Sequence, residues 1–398
     1  MSGTLNAILS VNAGSSSLKF ALYPQNGLEI GAAGLSGIVE GLEAGGTPVV
    51  KVSGKDGSSR EALEAGKGTP HERALVALDA ALKRHAQGIR ITAVVHRIVH
   101  GGRRFSESVQ LDDSTLDYLD SLIPLAPLHQ PHNLAGVHAC RKSFPDLPQI
   151  GCFDTAFHAT VPEQEYTFAL PKTLRDAGIR RYGFHGLSYR YVSNRLFEHT
   201  ARMRGRAIIA HLGNGASACA VKDGKSIATT MGFSALDGLI MGTRSGAIDP
   251  GVLLHLLRHD WSWGQLEHML YHECGLSGVS GISADMRTLL ASDSPDAKLA
   301  IDLFIHRLVR ECGALSACLG GLDVLAFTGG IGEHDVSLRQ RTCDALAYLG
   351  VRIDSQANQA ATGDAVAPIH AEGSSVEVWV VPTDEGRVAA QDAARLMS

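Results

Sequence analysis

The sequence has few charged residues and no long apolar run. Of its 398 residues 19% are charged, and the formal net charge is -5, which excludes a general nucleic-acid-binding protein. No apolar run approaches the roughly 18 residues that indicate a membrane span, and the N-terminus lacks the charged flank and apolar core of a signal peptide. With 44% hydrophobic residues the chain is too apolar for disorder. We therefore expect a cytoplasmic protein of two domains that binds neither membrane nor nucleic acid.

The sequence also lacks the spacings of common metal and nucleotide sites. The seven cysteines are odd in number and never form a C-x-x-C pair, which favours reduced core thiols over disulfides or zinc ligands. No H-E-x-x-H occurs, and His268 and His272, four residues apart, fit a helix surface better than a metal site. Neither a Walker P-loop nor a G-x-G-x-x-G after the first strand is present, so P-loop and nicotinamide-binding proteins are excluded.

What the sequence does contain is an internal repeat. Residues 6–30 and 206–230 share an order of apolar strand, small polar turn, second strand, glycine turn ("QNG" or "KDG") and third strand. Each half adds a strand that runs into glycines, "ITAVVHRIVHGG" or "LDVLAFTGGIGEH", and helical patterns lie between these strands. Strands alternating with helices predict a duplicated α/β fold whose halves face one another across a cleft.

We predict a first domain over residues 1–150 and a second over residues 151–385. A strand and a polar turn near the C-terminus precede a last helix, residues 386–398, which we expect to pack back on the first domain.

Five turns share one pattern, an apolar strand that ends in small or polar residues. Glycines allow close approach to a ligand, and successive amide groups in such turns bind anions. Five such turns in a duplicated frame predict a phosphate-bearing ligand, with a nucleotide held by turns of both halves. The turns cover residues 12–17, 96–102, 211–217, 328–333 and 383–385.

Four polar residues stand in apolar or small-residue surroundings. Arg97 interrupts a strand pattern, and Arg244 lies among glycines, where a guanidinium can bind carboxylate or phosphate with two hydrogen bonds. Asp154 and His185 are flanked by aromatic and small residues. Internal salt bridges for the arginines, and an ordinary core role for the histidine, remain open alternatives.

Nine motifs in order resemble the acetate kinase (acetokinase) family over nearly the whole chain. The resemblance implies the duplicated, actin-like ATPase fold of sugar kinases and heat-shock chaperones, with mixed sheets and helices. It also implies homodimers that catalyse ATP + acetate giving acetyl phosphate + ADP with Mg²⁺ or Mn²⁺. The motifs are "VNAGSSSLKF", "HRIVHGG", "LAPLHQPHN", "FDTAFH", "YGFHGLSYRYV", "AHLGNGAS", "MGTRSGAIDPG", "FTGGIGEH" and "VPTDEG".

The resemblance also assigns roles to single residues. Arg97 and Arg244 match the arginines that hold the carboxylate and the phosphoryl group, Asp154 matches the active-site acid, and His185 matches a transition-state-stabilising histidine. Asn12 and Glu385 match metal-associated positions, and Lys19 a phosphate contact. The acyl methyl pocket matches Val99, Leu128, Phe184 and Ala235. The ATP-contacting segments match His211, Leu212, Gly213, Asn214, Gly215, Asp285, Met286, Arg287, Gly330, Ile331, Gly332, Glu333 and His334.

Several positions depart from the usual family pattern. Leu187 and Tyr189 change the surroundings of His185, Asp384 and Gly386 flank Glu385, and His334 replaces an asparagine. Ala235 stands where the family usually has proline, so we predict that propionate is accepted alongside acetate, with acetate preferred.

A carboxylate is ionised at neutral pH, so phosphoryl transfer needs positioning and charge stabilisation more than a strong base. We favour direct in-line transfer, with a phosphorylated enzyme carboxylate as the alternative. Two rival functions remain: a propionate, butyrate or pyrophosphate-dependent kinase, and a nucleotide-binding regulator without catalysis.

Overall fold

The chain divides into two compact units in a computed structural model that describes residues 5–42, 48–54, 57–62 and 69–398. The first unit comprises Met1–Phe157 and Asp384–Ser398, and the second comprises His158–Thr383. The expected limits of 150 and 385 therefore differ from these boundaries by a few residues. Within the predicted first domain, residues 1–4, 43–47, 55–56 and 63–68 lie outside the described part of the chain.

The first unit is built on one mixed sheet. Among the described residues its strands follow the order β6-β5-β4-β2-β1-β7-β9-β8, and β3 pairs with β2 off this path. The central pairs β1–β7 and β7–β9 are parallel, whereas β1–β2 is an antiparallel hairpin. The strands are β1 (Leu5–Ala13), β2 (Ser17–Asn26), β3 (Glu29–Ile30), β4 (Leu35–Glu40), β5 (Val49–Gly54), β6 (Gly57–Ala62), β7 (Ile89–Ile98), β8 (Val109–Gln110) and β9 (Gln149–Phe153).

The second unit repeats this arrangement in a sheet of order β12-β11-β10-β13-β15-β14 within the described chain. Here β10–β11 is the antiparallel hairpin, and β10–β13 and β13–β15 are parallel. The predicted duplication is thus present in the pairing of the strands. The strands are β10 (Arg206–Leu212), β11 (Ala216–Lys222), β12 (Lys225–Thr229), β13 (Val324–Thr328), β14 (Ala367–Pro368) and β15 (Glu377–Val380).

The two halves differ at the third strand. The strand predicted after "QNG" is only the two-residue β3, and β4 takes the place beside β2 that β12 takes beside β11. The first unit continues outward from β4 into β5 and β6.

Helices cover the sheets of each unit. Pro70 begins α1, where Thr69 and Glu72 form a reciprocal capping box, and its leucines and alanines pack on the sheet. The last helix, α15, packs on β1 and β7 of the first unit. The helices are α1 (Pro70–His85), α2 (Asp113–Ser121), α3 (Gln130–Ser143), α4 (Glu163–Tyr166), α5 (Lys172–Asp176), α6 (Gly186–His199), α7 (Pro250–Arg258), α8 (Trp263–His268), α9 (Gly275–Ser280), α10 (Met286–Leu290), α11 (Pro295–Leu319), α12 (Gly329–His334), α13 (Val336–Ala345), α14 (Ser355–Ala360) and α15 (Glu385–Leu396).

The cysteines only partly match the expectation of core thiols. Cys274 is half-buried and Cys318 is exposed, whereas the other five are buried. Burial raises the pKa of Cys140, Cys219 and Cys312 to about 12, so these thiols stay protonated near neutral pH. No helix in the described part of the chain is both long and apolar enough to cross a membrane.

Candidate active site

Three predicted site residues of the first unit form one ionic cluster. Arg97 lies near the end of β7, Asp154 directly follows β9, and Glu385 is the first residue of α15. Arg97 donates from Nε to Asp154 Oδ1 at 2.9 Å and from Nη2 to Oδ2 at 2.7 Å. Its Nη1 lies 3.3 Å from Glu385 Oε2. The internal salt bridge considered for Arg97 is therefore present, and both of its partners are candidate site residues.

The cluster contains two carboxyl groups and one guanidinium. Burial lowers the pKa of Arg97, but the attraction of Asp154 and Glu385 outweighs it and leaves the pKa raised. Burial raises the pKa of Glu385, with Asp154 adding to the rise while Arg97 and Lys19 oppose it. Two carboxylates thus share one guanidinium, and an added cation would relieve their repulsion.

Asn12 and Lys19 face each other across the first hairpin. They are paired in the β1–β2 register, so their side chains share one face of the sheet. Asn12 is half-buried and Lys19 is exposed. The turn that joins them carries the three serines.

Asn133 is a site residue that the sequence did not single out. Its Nδ2 donates to the carbonyl oxygen of Ala13 at 2.6 Å, and its Oδ1 accepts from the amide of Val99 at 2.9 Å. This one buried side chain on α3 therefore fixes the ends of β1 and β7, the two strands that carry Asn12 and Arg97. The motif "LAPLHQPHN" ends at Asn133 and is the sequence signal that could have identified this residue.

The predicted acyl-pocket residues are divided between the units. Val99 and Leu128 belong to the first unit and are half-buried. Phe184 and Ala235 belong to the second, where Phe184 is buried and Ala235 is half-buried.

His185 has an unusual backbone and a defined set of partners. It precedes α6 with φ of 59°, a left-handed conformation that non-glycine residues rarely adopt. Its Nδ1 is 2.8 Å from Ser217 Oγ, which also contacts the hydroxyl of Tyr189. The His185 ring stacks on that of His211 with centroids 4.3 Å apart. The left-handed conformation at a candidate site residue is consistent with a functional constraint.

Arg244 approaches the same place, and no ionic partner of it lies among the described residues. A Cβ built on Gly215 would lie 2.9 Å from Arg244 Nη2 and 3.4 Å from His185 Nε2, so both groups converge on this glycine. Arg244 Nη1 donates to the carbonyl oxygen of Ala235 at 2.8 Å. Burial lowers the pKa of Arg244, with a smaller opposing effect of Tyr271, and no described carboxylate pairs with it. A half-buried cation of this kind is suited to an anionic ligand.

A cavity of about 740 Å³ lies in the second unit. It falls within the size range of pockets for small ligands and cofactors. The wall contains apolar side chains of α10 and α12 and a polar rim. Its lining residues are Gly213, Asn214, Ala284, Asp285, Met286, Arg287, Leu290, Gly330, Ile331, His334 and Asp335.

Five predicted ATP contacts of the second unit do not line this cavity. Leu212 and Gly332 are buried because they pack in the core behind it. Glu333 Oε1 instead accepts from the amides of Gly329 at 2.8 Å and Thr383 at 3.1 Å, which joins the turns after β13 and β15. The remaining two of the five are His211 and Gly215. His211 Nδ1 is hydrogen-bonded to Ser188 Oγ at 2.8 Å, and Gly215 lies next to Arg244.

The sequence matches the acetokinase family over residues 7–391. An acetate kinase of Rhodopseudomonas palustris is 48% identical over 396 residues, covering 98% of each chain. The chain belongs to the acetokinase family. It is accordingly a kinase with the actin-like ATPase fold, as the resemblance implied.

Two solved structures resemble this chain to nearly the same degree. An acetate kinase of Porphyromonas gingivalis has a TM-score of 0.88 at 37% identity, covering 99% of this chain and 100% of that one. A propionate kinase of Francisella tularensis has a TM-score of 0.89 at 37% identity, covering 97% and 98%. Overall similarity therefore does not distinguish the two acyl groups.

In this acetokinase both neighbours of Glu385, Asp384 and Gly386, lie against Tyr23. Asp384 Oδ1 accepts from the hydroxyl of Tyr23 at 2.6 Å and from the amide of Arg387 at 3.0 Å, which caps α15. A Cβ on Gly386 would lie 2.4 Å from that same hydroxyl. Tyr23 therefore donates a hydrogen bond to Asp384 and also occupies the space that a side chain at position 386 would need.

Proposed function

We propose that this protein is a Mg²⁺-dependent acetate kinase that transfers the terminal phosphoryl group of ATP reversibly to acetate. The observation that carries the proposal is the convergence of Arg244 Nη2 and His185 Nε2 on Gly215, with no described carboxylate to neutralise the arginine. Two nitrogen donors directed at one point can stabilise the charge of a phosphoryl group in transfer. Family membership supports the same chemistry.

Arg97 and Asp154 supply positioning in this proposal. Both carboxylate oxygens of Asp154 accept from Arg97, so Asp154 orients the guanidinium and is a poor candidate for a base or nucleophile. The pairs with Asp154 and Glu385 engage three of the five N–H groups of Arg97, and the other two can hold the acetate carboxylate. Because that carboxylate is the attacking group, we propose direct in-line transfer.

Asn12 and Glu385 fit a magnesium ion that arrives with the nucleotide. Mg²⁺ prefers oxygen ligands and is usually held by one or two carboxylates together with substrate phosphates. Within the described residues no cluster of three or more His, Cys, Asp or Glu is arranged to hold a metal, so a site made of protein ligands alone is not expected. Burial raises the pKa of Glu385, and a cation bound beside it would favour its charged form. When bound, Mg²⁺ would neutralise charge on the phosphates.

The cavity in the second unit supports ATP as the donor. Met286, Leu290 and Ile331 present apolar surface that suits a nucleoside, whereas pyrophosphate has no group to place there. Arg287 and Asp285 form an exposed bidentate pair at the rim, with Nη2 and Oδ2 2.7 Å apart. Lys19 in the first unit is assigned to the phosphates. A propionate kinase remains the second candidate because of Ala235.

We further propose that the protein is a cytoplasmic homodimer. The support is the apolar surface of α7, which has no buried residue and exposes Val252, Leu254 and Leu257. Sedimentation of the wild type and of a Leu254→Glu, Leu257→Glu double variant tests this, with the monomer expected only for the variant.

Hydroxylamine trapping of acyl phosphate tests the reaction with ATP, Mg²⁺ and acetate. Arg244→Ala should lower kcat by about 100-fold or more while ATP binding is retained. Arg341→Ala is the control, since Arg341 forms a surface pair with Asp302 at 2.5 Å. Absence of acyl phosphate with the wild type, or wild-type kcat in Arg244→Ala, would contradict the proposal. Isotope exchange between ADP and ATP without acetate would indicate a phosphoenzyme instead.

A further inference from the structure

Tyr189 is a departure from the family pattern, and its hydroxyl is buried next to the proposed phosphoryl site. The Tyr189 side chain lies on the first turn of α6 and is fully buried. Its hydroxyl contacts Ser217 Oγ, and Ser217 Oγ is 2.8 Å from His185 Nδ1. Three side chains therefore form a chain of hydrogen bonds that ends at the ring nitrogen remote from Gly215.

The proposed reaction requires one particular form of the His185 ring. Phosphoryl oxygens accept hydrogen bonds, so Nε2, the nitrogen directed at Gly215, must carry a proton. In a neutral imidazole Nδ1 is then an acceptor. The stacked ring of His211, 4.3 Å away, disfavours positive charge on both rings at once, and a neutral His185 avoids that repulsion.

The order of donors follows from the number of hydroxyl protons. If Ser217 donates its single proton to His185 Nδ1, its Oγ can only accept from Tyr189. Burial, reinforced by the nearby Cys219, raises the pKa of Tyr189 well above its ordinary value and keeps that hydroxyl protonated. We propose that Tyr189, acting through Ser217, holds His185 in the neutral form with its proton on Nε2, directed at the phosphoryl group in transfer.

The backbone around His185 is fixed independently of this chain. His158 Nε2 lies 2.9 Å from the carbonyl oxygen of Phe184, and its Nδ1 lies 2.8 Å from Ser226 Oγ. The His158 ring also packs edge-on against Tyr189, with centroids 5.6 Å apart. Removal of the Tyr189 hydroxyl alone should therefore leave the ring packing and the backbone of His185 in place.

The inference rests on the proposed function for its catalytic consequence, so one measurement does not use activity. In protein labelled with ¹⁵N-histidine, the ring nitrogen shifts distinguish the two neutral forms, and His185→Gln identifies the His185 signals. We expect the proton on Nε2 in the wild type and a shift towards Nδ1 in Tyr189→Phe. A wild-type proton on Nδ1 would overturn the proposal, whether or not the protein makes acyl phosphate.

Kinetics form the second measurement. Loss of the hydrogen-bond partner that orients a metal-bound histidine typically costs 10- to 100-fold in activity. We expect a comparable fall in kcat for Tyr189→Phe, with little change in the KM for ATP. Tyr182→Phe is the matched control. Tyr182 lies three residues before His185, and its hydroxyl donates to the carbonyl oxygen of Gly178 at 2.9 Å. Equal kcat values for the two tyrosine variants would refute the role of Tyr189.

A double-mutant cycle separates this chain from a general structural role. Ser217→Ala removes the link, so adding Tyr189→Phe to it should cost no further activity if Tyr189 acts through Ser217. Additive losses would refute the chain. If Tyr189→Phe does not fold, Ser217→Ala alone must still shift the His185 tautomer, and an unshifted ring would equally refute the inference. Thermal unfolding of each variant checks that the fold is retained.

Discussion

A methyl group added to Gly215 should stop phosphoryl transfer without unfolding the protein. The new Cβ would lie 2.9 Å from Arg244 Nη2 and 3.4 Å from His185 Nε2, inside normal contact with the arginine. Both close atoms belong to side chains that can move, and Gly215 has no positive φ, so the backbone tolerates alanine. The methyl therefore displaces Arg244 Nη2, and it contacts His185 without distorting the turn between β10 and β11.

The expected fall in kcat can be estimated from the loss of a hydrogen-bond donor at the proposed phosphoryl site. Removal of one preorganised donor from a transition-state site costs about 10²- to 10³-fold in kcat, and Gly215→Ala displaces one such donor, Arg244. We therefore expect kcat to fall at least about 100-fold, equivalent to about 2.7 kcal/mol. ATP affinity should change much less, because Gly215 does not line the 740 Å³ cavity.

The assay is acyl phosphate formation, combined with a titration of ATP binding and a thermal unfolding curve. Gly264→Ala is the control, since no atom lies within 4 Å of a Cβ at that position on α8. Gly215→Ala with wild-type kcat would refute the convergence of Arg244 and His185 on this glycine. A large loss of ATP affinity with unchanged kcat would instead assign Gly215 a role in binding the nucleotide.

Three further predictions concern other parts of the site. Asp154→Asn should lower the free energy of unfolding by about 3 kcal/mol, measured in urea, because it breaks the pair between the buried Asp154 and the half-buried Arg97, whereas Asp302→Asn should change it little; equal effects would contradict this. Burial raises the pKa of Glu385 above 4.5, so the folded state holds this proton more tightly and loses stability as pH rises. Glu385→Gln should therefore raise the thermal midpoint at pH 7 without nucleotide, and a lower midpoint would contradict the pKa shift. Propionate should be turned over with kcat/KM about 10- to 200-fold below that of acetate, and Ala235→Pro should widen this gap; no detectable propionate turnover would refute the prediction.

The repeat was predictable because strand patterns and glycine turns are local signals. Residues 6–30 and 206–230 predicted two equivalent hairpins, and β1–β2 and β10–β11 pair in that way. The sequence did not predict that β4 would replace the strand after "QNG". The pairing of β2 with β4 depends on packing between segments that no local pattern reports.

The site was predicted in part. The contacts among Arg97, Asp154 and Glu385 join residues up to 288 positions apart, and the motifs supplied their identities without their distances. Asn133 was not singled out and Ser217 was included only as the end of the turn at residues 211–217, because their importance lies in the atoms they connect and neither side chain is unusual in its setting. Leu212 and Gly332 are buried although they belong to predicted ATP-contacting segments, since residues next to a turn commonly pack inward.

The first unit contains residues from both ends of the described chain, and this has a consequence for synthesis on the ribosome. Arg97 and Asp154 are translated early, whereas Glu385 follows more than 220 residues of the second unit. Until then the Arg97 guanidinium lacks one carboxylate partner, and β1 and β7 lack the helix that covers them. A nascent chain therefore carries an exposed sheet face and an incomplete ionic cluster around Arg97 until its last helix emerges. Chaperone dependence should accordingly be concentrated late in translation.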